Sequence, residues 1–423
     1  MKNSNTHYDI VVVGGGLVGG SFAIMLHQLA ADAGLRILIV DARPFNASSD
    51  KTVTQPDFDA RSTALSWGSR NIYEKFGLWS DLSPHAAAIR QIHVSDRGHP
   101  GVTRLQADEM DVEALGYVLE NQYLSQAIQS ALVVSNNLEI CAPAQVVEIQ
   151  HQPDGMRLNL DSHNGAQQID CSLLVLADGG RSGLMESLGI TTQKHHYNQH
   201  AIIANVAFER PHQGQAFERF TDNGPLAMLP LPDSQDPDGV TLHRAALVWT
   251  VPDTDKARTL SLDDATFLAA LQDRFGYRLG RLTRVGQRNA YPLSLMEASE
   301  QIRPGLVLLG NAAHTLHPVA GQGLNLALRD CEALASLLAR QWQINSSEAN
   351  IRGKEIGSYR FLESYLDKQA QDQQRTVRFS DLTTRLFSNQ QPALTLGRNL
   401  GLLSMDLLPP ARHWFARQAM GLR

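Results

Sequence analysis

The stretch Tyr8-Asp-Ile-Val-Val-Val-Gly-Gly-Gly-Leu-Val-Gly-Gly20 decides the fold. An apolar strand leads directly into a glycine-rich turn and then into an apolar helix, the order expected at the start of a dinucleotide-binding unit. Gly14 permits the sharp turn, Gly16 lets the backbone approach a pyrophosphate, and Gly19 lets the helix pack closely on the sheet. The stretch therefore predicts a strand, a cofactor turn and a helix near the N-terminus.

A second strand completes this unit. Ile37-Leu-Ile-Val40 is apolar and β-branched, and Asp41 follows it directly. An acid at this place can accept hydrogen bonds from the ribose hydroxyls of a dinucleotide. The two strands, the turn and the acid together predict dinucleotide binding, and the alternative is a glycine turn that packs and binds nothing.

A second cofactor turn is predicted in the distant stretch from Gly310 to Asp330, which follows the strand-like run Leu306 to Leu309. At a junction between strand and helix, glycines leave backbone N–H groups bare enough to approach a planar or anionic group. The residues that would do so are Gly321, Gln322 and Gly323. Pro318 stiffens the approach, and Asn325 is predicted to cap the following helix.

Composition restricts the class of protein. The chain has 423 residues, of which 43% are hydrophobic and 19% are charged, as in ordinary globular proteins. Its net charge of −6 argues against a general nucleic-acid binder.

The three cysteines show no Cys-x-x-Cys spacing, so we expect a reducing compartment and no vicinal redox pair. No metal site is predicted, because the histidine-rich run from Lys194 to His200 has no carboxylate or cysteine partner.

The pattern along the chain predicts an α/β fold with a Rossmann-like domain, an inserted antiparallel sheet and a helical C-terminal region. Strand-like runs at 202–208, 216–220, 227–231 and 245–251 predict the inserted sheet, and apolar residues at helical spacing predict a helix over Leu115 to Leu132. The predicted segments are 1–78, 109–181 and 292–345 for the dinucleotide-binding domain, 79–108 and 182–291 for a substrate domain, and 346–423 for the helical region.

Ordered motifs along nearly the whole chain resemble the flavoprotein aromatic hydroxylases of the para-hydroxybenzoate-hydroxylase type. The matching motifs are Gly14 to Gly19, Arg61, Asp178-Gly179 and Gly310 to Asp330. The stretch from His317 to Asp330 is similar to the branch that hydroxylates ubiquinone precursors. Four further stretches are most similar to the hydroxylases of 2-polyprenyl-6-methoxyphenol: Val94 to His99, Phe217 to Phe220, Gly224 to Pro230 and Phe275 to Gly280.

The resemblance implies FAD as the cofactor and assigns residues to it. The ADP half would contact Gly14, Gly16, Leu17, Val18, Gly19 and Asp41. Along the pyrophosphate and the ribityl chain would lie Arg61, Asn121 and Asn311. Asp178 and Gly179 would close over the cofactor. The isoalloxazine would lie beside Pro318, Gly321, Gln322, Gly323, Leu324 and Asn325. Asp41 and Asn311 depart from the Glu and Asp that are usual in the family.

The resemblance also implies the reaction. Reduced FAD would react with O2 to give a flavin C4a-hydroperoxide, which would hydroxylate a polyprenyl phenol to the benzoquinol. NAD(P)H would be a transient reductant, because the chain has no second dinucleotide fingerprint. The alternatives are a sister hydroxylase acting at another ring position, a non-oxygenating FAD oxidoreductase, and a flavin-containing structural subunit of a quinone-synthesis assembly. No residue is assigned as catalytic.

Two sets of side chains have competing interpretations. Met228, Leu247 and Trp249 are candidates for a substrate wall over the flavin, although strand alternation favours core packing. His314 and His317 flank the flavin turn, where turn-stabilising hydrogen bonds are favoured over proton transfer.

The C-terminal stretch 391–423 combines apolar residues with four arginines, Arg398, Arg412, Arg417 and Arg423. This composition fits contact with a membrane surface or a partner protein, and packing against its own domain is an alternative of at least equal weight. The resemblance implies that such partners would be other ubiquinone-biosynthesis proteins. The polar stretch before Tyr8 leads directly into a strand, so no signal peptide is expected. The expected location is the cytoplasm, with peripheral contact at the inner face of the cytoplasmic membrane.

Overall fold

The computed structural model describes residues 6–30, 33–45, 61–99, 101–135, 138–163, 165–236, 238–316, 321–344, 349–387 and 408–422. The strands are β1 (Thr6–Val13), β2 (Ile37–Val40), β3 (Ser62–Ser66), β4 (Ala87–Ile89), β5 (Gln91–Asp96), β6 (Val102–Gln106), β7 (Gly116–Glu120), β8 (Leu138–Cys141), β9 (Ala144–Gln152), β10 (Gly155–Ser162), β11 (Gly165–Leu176), β12 (Thr192–Phe208), β13 (Gln215–Thr221), β14 (Gly224–Gln235), β15 (Thr241–Pro252), β16 (Leu282–Val285), β17 (Asn289–Ala298), β18 (Ile302–Arg303), β19 (Leu306–Leu308) and β20 (His314–Thr315). The helices are α1 (Leu17–Leu29), α2 (Trp67–Lys75), α3 (Trp79–Leu82), α4 (Asn121–Val133), α5 (Leu184–Ser187), α6 (Asp253–Ser261), α7 (Asp264–Phe275), α8 (Gln322–Ile344), α9 (Ala349–Ile356), α10 (Tyr359–Phe387) and α11 (Pro409–Ala419).

The first sheet carries the cofactor turns. Its order is β18-β19-β11-β1-β2-β8, and the hairpin β9–β10 extends it from β11. Strands β19, β11, β1, β2 and β8 run parallel, with Val13 level with both Val40 and Leu176. Because parallel strands end at one edge, the turns after β1, β2, β11 and β19 meet there. The expected α/β architecture of the N-terminal unit is confirmed.

The second sheet has the order β20-β17-β12-β15-β14-β13-β5-β6, with β16 pairing with β12. Its pairs are antiparallel except β13 with β5. The four strand-like runs of the sequence fall within β12, β13, β14 and β15, as predicted. The division of the chain into domain segments stays a prediction, and one boundary differs from the sheet: β17 remains paired with β12 as far as Ala298, beyond the predicted return at residue 292.

One face of the second sheet packs against helix α7 and forms a core of its own. Met228, Leu247 and Trp249 lie in this core, with exposed fractions of 1%, 0% and 4%. The ring of Trp249 meets Phe267 of α7 edge to face at 5.4 Å. The prediction that these three residues form a substrate wall is therefore wrong, and core packing explains their apolar character.

A small sheet of β3, β7 and β4 corrects a second prediction. The expected helix over Leu115 to Leu132 begins only at Asn121, because Gly116–Glu120 forms the central strand β7. All five residues of β7 are buried between β3 and β4. A Cβ at Gly116 would lie 2.4 Å from the carbonyl oxygen of Leu65, so glycine allows this pairing.

The C-terminal region is helical, as predicted, within the described residues 349–387 and 408–422. Helix α8 packs against α1, and Arg329 of α8 forms an ion pair with Asp372 of α10 at 2.7 Å. In α11 and just after it, Ala416 and Met420 are 2% and 1% exposed in a core shared with β4 and β6. In residues 408–422 the stretch therefore packs against its own domain, while residues 391–407 lie outside the described residues. Among the helices that are described, none is long and apolar enough to span a membrane.

Candidate active site

The N-terminal glycine turn has the geometry that its sequence requires. Gly14 has a φ of +100°, and a Cβ there would lie 2.5 Å from the carbonyl oxygen of Ala177. A Cβ on Gly19 would lie 1.9 Å from the carbonyl oxygen of Gly14, so this glycine sets the closeness of α1 to the turn. A Cβ on Gly16 would have no heavy atom within 4 Å. The backbone at Gly16, which precedes α1, therefore faces open space where an anionic group can approach the helix N-terminus.

Asp41 holds the same turn from the end of β2. Its carboxylate accepts hydrogen bonds from the backbone N–H groups of Gly15, at 2.7 Å, and Arg43, at 2.8 Å. The side chain is 10% exposed. Because a carboxylate has about four acceptor positions, two of them remain for hydroxyl donors. The short side chain thus supports the glycine turn and retains capacity for a ribose.

Two further turns adjoin the first one. The carboxylate of Asp178 accepts hydrogen bonds from the N–H groups of Gly180, at 2.9 Å, and Ser182, at 3.1 Å, so it fixes the turn containing Gly179, whose φ is +75°. A Cβ on Gly180 would lie 3.4 Å from the carbonyl oxygen of Asn311. These contacts bring the end of β11 and the turn after β19 to one place.

The first and last of these turns also touch directly. Gly310 has a φ of +62°, and a Cβ there would meet Val18 of α1 at 3.0 Å. Leu17 and Val18 are partly buried in the first turn of α1, and Asn311, which follows Gly310, is exposed. The start of the second predicted cofactor stretch, at Gly310, is therefore a neighbour of the first glycine turn.

Arg61 and Asn121 lie together at the start of β3 and of α4. The backbone N–H of Asn121 donates to the carbonyl oxygen of Arg61 at 2.7 Å, and Thr63 donates its hydroxyl to the Asn121 side-chain oxygen at 2.6 Å. The guanidinium of Arg61 is exposed and lies 5.6 Å from the ring centre of Tyr291. A charged donor and an amide are thus held together at the start of β3, the strand whose Ala64 lies beside Gly321.

The second glycine turn packs on β3. Gly321 has a φ of +61°, and a Cβ there would lie 3.2 Å from the Cβ of Ala64. Asn325 accepts a hydrogen bond from the N–H of Ser66 at 2.8 Å and donates to the carbonyl oxygens of Ala64 and Gly321 at 2.9 and 2.8 Å. Asn325 lies inside the first turn of α8, which begins at Gln322, so the prediction that it caps the helix is wrong. Its amide instead joins the turn to β3.

The other members of the second turn divide into buried and open positions. Gln322 is 2% exposed, whereas Gly323 and Leu324 are partly exposed. A Cβ on Gly323 would have no heavy atom within 4 Å. Pro318 and His317 lie outside the described residues. Gly16 and Gly323 therefore provide bare backbone in each of the two turns.

An apolar cavity of about 310 Å³ separates this second turn from the second sheet. It is lined by Ser62, Thr63, Ala64, Leu65, Ser66, Ile89, Ile92, Leu115, Gly116, Ile203, Ala216, Phe217, Glu218, Pro225, Ala227, Leu229, Val248, Thr250, Leu316, Gly321, Gly323, Leu324, Asn325 and Ala419. Ala227, Val248 and Thr250 alternate with the core residues Met228, Leu247 and Trp249 along β14 and β15. The cavity therefore lies against the face of the sheet opposite α7.

Glu218 is a lining residue that sequence reasoning missed. It is the one titratable side chain among the described residues around this cavity. Burial raises the pKa of Glu218 to about 7. The sequence contains a signal for this residue, because Glu218 interrupts the apolar positions of the strand from Ala216 to Phe220. Its neighbour Arg219 carries the opposite charge, so the two residues resemble an ordinary ion pair on the protein surface.

A buried ion pair fixes the second sheet beside the cofactor turns. Arg244 of β15 lies 3.2 Å from the carboxylate of Glu120, with side-chain exposures of 4% and 2%. Asn205 of β12 donates to the same oxygen at 3.4 Å. Because Glu120 immediately precedes Asn121, removal of either charge would disturb both the sheet and the cofactor side of the site.

His314 is buried away from the cavity. Its Nε2 lies 3.5 Å from the carboxylate of Asp330, and neither ring nitrogen makes a hydrogen bond among the described residues. Burial lowers the pKa of His314, and burial raises that of Asp330. The favoured prediction of turn-stabilising hydrogen bonds is therefore wrong for His314. The run from Lys194 to His200 lies in β12, and no group of metal-binding side chains occurs in the described ranges.

Comparison with known proteins gives consistent matches. Residues 7–352 match the family model described as an FAD binding domain. The chain is 33% identical to the ubiquinone hydroxylase UbiL of Rhodospirillum rubrum, over 98% of this chain and 89% of that protein. It is 30% identical to the 3-demethoxyubiquinol 3-hydroxylase of Escherichia coli, over 99% and 100%. The crystal structure of p-nitrophenol 4-monooxygenase PnpA from Pseudomonas putida shares the fold, with a TM-score of 0.73, 19% identity and 99% coverage of both chains.

Proposed function

The chain belongs to the family defined by this FAD binding domain, and on that premise we propose that it is a monooxygenase that hydroxylates the ring of a polyprenyl phenol in ubiquinone biosynthesis. The observation that carries the proposal is the apolar cavity of about 310 Å³ between the second glycine turn and the second sheet. A cavity of this size and character suits an aromatic ring with its first prenyl units. Relatives that match along the whole chain are named as hydroxylases of ubiquinone or its precursors.

The residues around the two turns fit FAD. Gly16 and Gly323 offer backbone without side chains, and Asp41 keeps acceptor capacity for a ribose. Arg61, Asn121 and Asn311 would lie along the pyrophosphate and ribityl chain, and Asp178 and Gly179 would close over the cofactor. The isoalloxazine would lie beside Gly321 to Asn325, at the cavity edge. When bound, FAD supplies the activation of O2 and accepts electrons from NAD(P)H, which would visit transiently.

The protein's own task is to hold the ring and exclude water. Apolar side chains from β13, β14 and β15 close the cavity on one side, and the second turn closes it on the other. Exclusion of water strengthens polar interactions inside and limits the loss of activated oxygen as hydrogen peroxide. Asn325 and the buried pair of Glu120 with Arg244 keep the two sides at a fixed separation.

Among the possible ring positions we propose that of 2-polyprenyl-6-methoxyphenol, converted to the corresponding benzoquinol. The support is the similarity of Val94 to His99, Phe217 to Phe220, Gly224 to Pro230 and Phe275 to Gly280 to that group. A sister hydroxylase acting at another position, a non-oxygenating FAD oxidoreductase and a flavin-containing structural subunit are the alternatives. The quinone precursor that accumulates when the protein is absent would identify the position.

Labelled dioxygen tests the reaction. Incubation with FAD, NAD(P)H, 18O2 and 2-prenyl-6-methoxyphenol is expected to place one labelled oxygen in the product. The non-oxygenating alternative predicts product without label, and the structural subunit predicts no substrate-dependent turnover. Either result with the FAD-loaded protein would refute the proposal.

A substitution at Gly16 tests cofactor placement. A Cβ on Gly16 would have no heavy atom within 4 Å, so the side chain of Gly16→Val would enter open space and the chain should still fold. Because this space is where FAD would approach, we expect the variant to bind FAD at least about tenfold more weakly. FAD content by absorbance and folding by circular dichroism are the measurements. A folded Gly16→Val variant with full FAD content would contradict the placement.

We also propose peripheral contact with a membrane surface, because the substrate is a lipid. Leu408 and Trp414 are 55% and 61% exposed beside the arginines of α11. Trp414→Ser should reduce co-sedimentation with anionic vesicles without unfolding the protein. Unchanged co-sedimentation would assign lipid contact to other residues or to a partner among the ubiquinone-biosynthesis proteins.

A further inference from the structure

We propose that Glu218 is the acid–base residue that takes the proton of the substrate's phenol hydroxyl. This inference rests on the proposed function, because it places a phenol in the cavity. It assigns a catalytic role to a side chain that neither cofactor contact nor core packing explains.

The position of Glu218 follows from strand geometry. It lies on β13 opposite Ala227 of β14, and both residues line the cavity. Side chains alternate along a strand, so the adjacent Arg219 belongs to the opposite face. The carboxylate therefore points to the space enclosed by the sheet and the second glycine turn.

Among the described residues that line the cavity, Glu218 is the one charged side chain. The polar side chains that β3, β15 and α8 contribute are Ser62, Thr63, Ser66, Thr250 and Asn325, and β5 and β14 contribute apolar lining groups only. Within the described part of the chain, the Glu218 carboxylate has no hydrogen bond or ion pair. An unpaired acid in apolar surroundings reduces stability, so a structural role does not account for it.

The same surroundings make Glu218 suitable for proton transfer near neutral pH. Burial raises its pKa to about 7, which is close to the optimum for a general base that works at this pH. A free phenol has a pKa of about 10 and is a poorer electron donor than its phenolate. A base beside the phenol hydroxyl would therefore increase the reactivity of the ring.

The transfer balances without an additional reagent. The phenol O–H bond breaks, its electron pair stays on the phenolate oxygen, and an O–H bond forms on the Glu218 carboxylate. Oxygen insertion uses the O2 and reductant of the proposed reaction. In the last step the ring C–H bond breaks: its electron pair restores the aromatic ring, its proton leaves to water, and the proton on Glu218 returns to the same oxygen.

Glu218→Gln tests this role, because it keeps the shape of the side chain and removes its basicity. With 2-prenyl-6-methoxyphenol we expect hydroxylation to fall about a hundredfold or more while FAD content stays unchanged. In the wild type, kcat/KM should rise as pH increases through about 7, the pKa of Glu218, and this rise should be absent from Glu218→Gln. Glu218→Asp should retain the rise at reduced rate.

Thermal stability gives a second readout that does not depend on activity. The pKa of Glu218 is higher in the folded protein than its ordinary value of 4.5, so the folded state binds more protons than the unfolded state. The contribution of Glu218 to wild-type stability should therefore decrease as pH rises from about 4.5 through about 7, so the wild type should lose stability relative to Glu218→Gln over this range. Glu218→Gln should lose this decrease and unfold at a higher temperature than the wild type at pH 8.

Glu148→Gln is the matched control, because Glu148 is exposed on β9 in the first sheet and does not line the cavity. It should leave turnover and both pH dependences unchanged. If the wild type hydroxylates the phenol and Glu218→Gln does so within about threefold with the same pH profile, the role of Glu218 is overturned and the proposed function stands. If the wild type incorporates no labelled oxygen, both are overturned.

Discussion

The two faces of the second sheet use the same strands for opposite purposes. On β15, Leu247 and Trp249 point to α7 and are almost completely buried, whereas Val248 and Thr250 line the cavity. On β14, Met228 packs towards α7 and Ala227 lines the cavity. The helix face is filled by large side chains, and the cavity face is built from smaller ones. Because both faces are largely apolar, the cavity face differs from the helix face mainly in the volume that its side chains leave unfilled.

The largest expected difference between the faces is in stability. Leu247→Ala removes a fully buried side chain packed under α7, so we expect the free energy of unfolding to fall by about 2–5 kcal/mol. Val248→Ala, at the adjacent cavity position, should cost about 1 kcal/mol, because its side chain already borders empty space. Urea denaturation of both variants measures the difference, and equal losses would contradict the assignment of the faces.

Substrate affinity should show the reverse preference. Ala227→Leu fills part of the cavity, so KM for the prenylated phenol should rise about tenfold, equivalent to about 1.4 kcal/mol. Met228→Leu conserves volume on the helix face and should leave KM unchanged. Steady-state kinetics compares the neighbours, and an unchanged KM in Ala227→Leu would place the ring elsewhere.

The faces should also differ in their response to acid. His93 of β5 lies on the helix face, with its ring 5.8 Å from that of Phe217. Its pKa is lowered to about 4 by burial and then by Arg278, Arg104 and Arg219. At this residue the folded state therefore binds fewer protons than the unfolded state, and the contribution of His93 to stability should be lost as pH falls from about 6.5 towards 4.

We expect the acid effect of His93 to be about 1 kcal/mol, because solvent screens part of the charge. His93→Gln should reduce the stability difference between pH 7 and pH 5 by this amount, measured by thermal unfolding. A larger acid sensitivity in the variant would contradict the assignment to His93.

The cofactor turns were predictable because glycine geometry is local. At Gly14 and Gly19 a Cβ would meet backbone oxygen within 2.5 Å, so the sequence pattern carries the steric requirement itself. The parallel strands that precede these turns could be predicted as well, because each of them contains a continuous apolar run. The meeting of Gly310 with Val18 depends on sheet order, and the sequence indicated it only through the resemblance to a known family.

The cavity side of the second sheet was not predictable to the same degree. Alternation in β14 and β15 gives two apolar sets and does not say which set α7 covers. Burial of every residue in β7 removed the alternation that distinguishes a strand from a helix, so the run before Asn121 was assigned to the wrong element. Asn325 has the side chain of a helix cap, but its partners on β3 are distant in sequence.

The position of a bound prenylated phenol tests the central claim most directly. In a crystal structure of the FAD-loaded protein with 2-prenyl-6-methoxyphenol, we expect the ring between the second glycine turn and strands β13 to β15, with its hydroxyl in hydrogen-bonding distance of Glu218. A ring bound outside this cavity, or against the α7 face of the sheet, would contradict the account.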